Sequence, residues 1–77
     1  SAEIWMIQAK TMGIDLSQEI IQHVVLNYTL SGRSIRNLLK LASSWAEHRG
    51  EELSTVHFDK AVKFLPKTRN EAIKDAK

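Results

Sequence analysis

Leu30-Ser31-Gly32-Arg33-Ser34-Ile35-Arg36-Asn37 decides how the rest of the chain is read. The stretch stands between two apolar segments and opens the longest run of helical periodicity in the sequence. Leucine, then serine, then isoleucine four residues on, marks a helix start. The leucine sits at N′, the serine oxygen caps a first-turn N–H, and the isoleucine closes a hydrophobic staple against the leucine. The device occurs twice more, as Leu16-Ser17 with Ile21 and as Leu53-Ser54 with Phe58. Each cap is expected to contribute about 1 kcal/mol. Gly32, Arg33 and Arg36 behind the central cap add a second property, because the free N–H groups and positive dipole end of a helix start can face an anion. The plainer reading is a capped helix with solvated arginines.

Working outward from this stretch, Ile35, Leu38, Leu39, Ala42, Trp45 and Ala46 hold one helical face up to Gly50, opposite Arg36, Asn37, Lys40, Ser43, Ser44 and Glu47. His48 and Arg49 suit the last turn, and Gly50 suits the C′ position. Upstream, Leu16, Ile20, Ile21, Val24, Val25 and Tyr28 form the stripe of a second helix, with His23 and Asn27 off it. Before that, Ile4, Trp5, Ile7 and Met12 belong to a helix ended by Gly13. Downstream, Phe58, Ala61, Val62 and Leu65 make a fourth helix stopped by Pro66. The expectation is an all-α bundle of four helices over residues 1–66, with no strand. A polar tail over 67–77 is expected as a short helix or a frayed end, anchored at Ala72 and Ile73.

The 77 residues make a single small domain, 43% apolar and 26% charged, with a net charge of +2. So small an excess of positive charge implies only mild attraction to polyanions. There is no cysteine, which excludes disulfides and thiolate chemistry and agrees with a reducing, cytoplasmic setting. No apolar run is long enough for a membrane span, so no membrane partner is expected. The chain begins within a helical pattern, and we expect a piece of something larger.

Catalysis finds little support. His23, His48 and His57 lie in separate segments without metal-ligand spacing, so no metal site is expected. Glu51 and Glu52 read as solvated loop carboxylates, and no P-loop is present. Binding readings remain. The second and third helices with a tight connection are compatible with a helix-turn-helix DNA-binding domain presenting Arg33, Arg36, Asn37 and Lys40 to the major groove. A protein-interaction bundle is a third reading.

Four motifs in order favour another reading. Glu3-Ile4-Trp5-Met6-Ile7-Gln8, Asp15-Leu16-Ser17, Thr29-Leu30-Ser31-Gly32-Arg33-Ser34-Ile35-Arg36-Asn37-Leu38 and Leu53-Ser54-Thr55-Val56-His57-Phe58-Asp59-Lys60-Ala61 together resemble the C-terminal helical lid of an AAA+ ATPase, AAA-like clade, over nearly the whole chain. The resemblance implies a four-helix lid that covers ATP bound, with Mg, mainly on a separate α/β domain. It further implies that the lid senses nucleotide state and contributes to subunit contacts in a ring, a hexamer, that remodels a protein substrate. Such a lid is part of an ATP hydrolase and is inactive alone, since Walker A and B are absent.

By the same resemblance Ile4 lies against the adenine, Gln8 near base and ribose, and Gly32 where the helix start approaches the nucleotide. Arg33 is then the sensor arginine on the phosphates, a role that suits a guanidinium fork. Many AAA members have serine-glycine-alanine-aspartate here, and other AAA+ branches have glycine-alanine-arginine. Gly32-Arg33-Ser34 places the arginine one residue early, about 100° around the helix. Arg36, a turn further on, is the second candidate. The alternative role for both arginines is a subunit interface. Trp5 and Trp45 read as core or interface residues.

Overall fold

The structure is a computed structural model that describes residues 1–66 and the backbone of residues 72–73. Helix α1 spans Ala2–Thr11, α2 Gln18–Asn27, α3 Gly32–His48 and α4 Thr55–Ala61, which continues as a 3-10 turn over Val62–Phe64. The chain is all-α in class and its four helices fall where caps and periodicity place them. Two short extended stretches were not foreseen. Strand β1 (Tyr28–Thr29) pairs antiparallel with β2 (Ala72–Ile73), Tyr28 opposite Ile73 and Thr29 opposite Ala72. Ala72 and Ile73 are therefore extended rather than helical or frayed. The rest of the expected tail, 67–71 and 74–77, lies outside the described residues. The partner explains the difference: Tyr28 leaves α2 with φ −123° and ψ 136°, which turns its backbone into a strand edge that a tail segment can join.

Two serine caps work as read. The Ser17 hydroxyl accepts from the Ile20 N–H at 3.1 Å, and the Ser31 hydroxyl from the Ser34 N–H at 3.2 Å. At α4 the cap runs through a histidine that the sequence reading left unassigned. His57 Nδ1 accepts from the Ser54 N–H at 3.0 Å, the reach-back half of a capping box. Leu16, Leu30 and Leu53 are partly buried against the core, as staples require.

Both long connections begin with the same C-terminal motif. Gly13 has φ 72° and Gly50 φ 67°, values open to glycine without strain. Behind them the Ile14 N–H returns to the Ala9 carbonyl at 2.8 Å and the Glu51 N–H to the Ala46 carbonyl at 2.9 Å. These are the long bonds of Schellman motifs, and they leave no ambiguity about where α1 and α3 stop. The last turn after α4 closes at Leu65, extended at φ −82° and ψ 140°, as the residue before a proline must be.

Helix α3 lies against α1 and α4, and α2 lies against the same two helices. Phe58, Leu38, Leu39 and Val24 are the largest fully buried side chains. Trp5 is only 2% exposed and wedges between two aromatic rings, 6.5 Å from Tyr28 and 6.4 Å from Phe58 centre to centre. It is thus a core residue. The apolar stripes are narrower than periodicity suggests, because Ile7 is 61% and Val25 38% exposed. Val25 stands about 100° beyond Val24, past the arc that α1 and α4 cover. No helix among the described residues is long and apolar enough to cross a membrane.

Candidate functional site

The start of α3 and the outer side of α1 meet through one hydrogen bond. Gln8 Nε2 donates to the Gly32 carbonyl at 2.8 Å. Ile4 lies one turn before Gln8 on the same side of α1 and is 44% exposed. The fold therefore brings Ile4, Gln8 and Gly32 to one surface from positions far apart in sequence. A carbonyl only accepts, so the Gln8 amide must present its NH2 to Gly32 and keeps Oε1 available as an acceptor.

Gly32 is the one glycine whose presence the fold itself does not require. Its φ is not positive, unlike those of Gly13 and Gly50. A Cβ built on it would meet nothing closer than Gln8 Nε2, at 3.5 Å, an ordinary contact. Ser31 caps the Ser34 N–H, and the N–H groups of Gly32 and Arg33 belong to the first turn, where a helix offers them no partner of its own. No acidic residue stands in that turn.

Arg33 and Arg36 are both exposed and neither has an ion pair among the described residues. Helical phase separates them. The buried side of α3 is set by Ser34, Ile35, Leu38, Leu39, Ala42 and Ala46. At about 100° per residue Arg33 points almost directly away from that side, toward open solvent. Arg36 follows Gly32 by four residues, so its Cβ stands over Gly32 on the flank that touches α1, and helical side chains lean toward the N-terminus. Arg36, rather than Arg33, shares the Ile4–Gln8–Gly32 surface. Asn37 and Lys40 are exposed on the outward side with Arg33.

The remaining polar side chains form structural clamps that the sequence reading missed. His23 Nε2 donates to Asp59 Oδ1 at 2.7 Å, its Nδ1 accepts from Asn27 Nδ2 at 3.1 Å, and the Tyr28 hydroxyl donates to the same Asp59 oxygen. This network ties α2 to α4. Glu51 is no free loop carboxylate either. It accepts from buried His57 Nε2 at 2.9 Å and from Arg49 Nε at 3.3 Å. The hydrogen bond from His57 holds the Glu51 carboxyl below its ordinary value; desolvation opposes it, and the hydrogen bond and charge of Arg49 add to the lowering. His57 has both ring nitrogens committed, one as acceptor and one as donor, which defines the neutral Nε2–H tautomer. Spacing alone gave no signal for these pairs, since His23 and Asp59 are 36 residues apart. Among the described residues no three His, Asp or Glu side chains converge on a possible metal position. Compared with protein-family models, with curated proteins and with solved structures, the chain shows no match.

Proposed function

We propose that this chain is the C-terminal helical lid of an AAA+ ATPase, a cytoplasmic protein in which the lid covers ATP held with Mg on a separate α/β domain. The observation that carries the reading is Gly32. It opens a serine-capped helix, yet neither backbone conformation nor internal packing demands a glycine there. A residue without a side chain at an exposed, electropositive helix start is what the close approach of a nucleotide would require. Ile4 offers an apolar surface to the base. Gln8, with its NH2 held by Gly32, offers a carbonyl oxygen to an amino or hydroxyl donor of the adenosine. Arg36, on the same flank, is the better-placed phosphate sensor, and Arg33 then faces a neighbouring subunit of the ring, a hexamer. Closing and opening of this lid would pass nucleotide state to that neighbour and on to a protein substrate.

The test uses full-length protein carrying this lid. Arg36→Ala is expected to lower ATP turnover at least tenfold while Arg33→Ala changes turnover less than its dependence on assembly. Equal turnover in the wild type and Arg36→Ala removes Arg36 from the site. The isolated chain titrated with duplex DNA at low salt is expected to show weak, sequence-independent binding. Tight sequence-selective binding would instead favour a helix-turn-helix function.

A further inference from the structure

On the flank of α3 turned away from Gly32, two adjoining hollows share Leu41 and Ser44. One, about 380 Å³, is lined by Asn37, Lys40, Leu41, Ser44 and Leu65. The other, about 580 Å³, is lined by Leu41, Ser44, Trp45, Glu47 and His48. Together they form a shallow groove along the outer side of α3 from Asn37 to His48. Its floor is apolar: Leu41 is 38% exposed and Trp45 half-buried. Phe64, next to Leu65 in the closing turn, is 76% exposed, the most open large apolar side chain of the described residues.

Two lysines edge the groove: Lys40 lines one end, and Lys60 Nζ sits 5.5 Å from the centre of the Trp45 ring. Among the described residues, Glu47 is the single acidic side chain lining the groove. Trp45 packs edge-on against the buried His57 ring at 6.3 Å behind it. An apolar floor with cations along its edge complements a segment carrying large apolar side chains on one face and carboxylates on the flanks. A nucleic acid suits it less well, because its phosphates would leave Leu41 and Leu65 uncovered and would meet Glu47.

We infer that this groove docks an acidic amphipathic peptide segment of a partner protein, by Leu41, Trp45 and Leu65 beneath and Lys40 and Lys60 at the rim. Leu41 and Trp45 lie roughly opposite Gly32 and Arg36 around the axis of α3, so the docking surface and the proposed nucleotide surface occupy separate flanks. The inference does not depend on the nucleotide reading.

The probe is a blocked 16-residue helical peptide with leucine and phenylalanine on one face and glutamate elsewhere. Its control has every glutamate replaced by glutamine. Binding is followed by amide chemical shifts and by fluorescence, in which half-exposed Trp45 responds and buried Trp5 supplies a constant background. The expected result is saturable binding centred on Leu41 and Trp45. Leu41→Asp and the Lys40→Glu/Lys60→Glu pair should each weaken it tenfold or more, as should the glutamine control. Arg36→Ala should leave it unchanged. Leu41 and the lysines are exposed, so these variants should keep their thermal unfolding profile, which is measured alongside. Unchanged binding in the variants, equal binding of the control, or shifts centred on Gly32 overturns the inference. Concentration-dependent self-association abolished by Leu41→Asp also overturns it, by assigning the groove to a second copy of the chain.

Discussion

The three glycines divide cleanly by what requires them. Gly13 and Gly50 hold positive φ values at helix ends, and a Cβ there is strained although nothing nearby would touch it. Gly50→Ala is therefore expected to destabilise the domain by about 1–2 kcal/mol, read by chemical denaturation. Gly32→Ala should leave stability equal or slightly raised, since alanine is the better helix former and the position is open. If the nucleotide reading is correct, the same substitution in the full-length protein lowers ATP affinity without lowering the melting temperature. A melting temperature that falls with Gly32→Ala would mean that the glycine serves the fold.

Glu51 supplies a pH dependence at the same scale. Its carboxyl is depressed in the folded state, chiefly by the hydrogen bond from His57, so ionisation favours folding. The contribution is present above the ordinary glutamate range and is lost as pH falls through the folded-state value. Thermal melts from about pH 6 down to about pH 3 should thus show a steeper loss for the wild type than for Glu51→Gln. Parallel curves would show that the His57–Glu51 contact carries no linkage.

Among the elements, the helix starts are the most informative. Ser17→Ala and Ser31→Ala each remove one cap and are each expected to cost about 1 kcal/mol, or some 4–8 °C in melting temperature for a domain this small. At α4 the corresponding loss is expected from His57, not from the serine alone, because the histidine bridges the Ser54 N–H and Glu51. Leu-Ser was legible at all three starts, since a cap is a local matter of four residues. The histidine was not, because residue three of a capping box is usually a glutamate or glutamine and because its second partner lies in the preceding loop. Strand β2 was illegible for a related reason. Two residues carry no periodicity, and they become a strand only through an edge supplied far earlier in the chain, where Tyr28 faces Ile73.

For the molecule as a whole, the core turns on Trp5. It comes from the first helix and meets Tyr28 and Phe58, which come from the second and fourth. Trp5→Ala should cost about 3–5 kcal/mol, enough to unfold a domain whose small core supplies about that much net stability. Far-UV circular dichroism at 25 °C is expected to show loss of the helical signal, whereas Trp45→Ala should retain it.

Sequence by itself determined the four helices, their starts and stops and the all-α class, because caps, staples, Gly13, Gly50 and Pro66 act within a turn of the residues they punctuate. It also singled out Gly32 and its two arginines. Only the tertiary structure decided that Gln8 reaches the Gly32 carbonyl, that Arg36 shares that flank while Arg33 leaves it, and that the half-exposed Leu41 and Trp45 floor a groove on the other. Periodicity marks the buried face of α3, but those outcomes depend on which helix packs along each edge of that face, and that is settled by packing across the whole core.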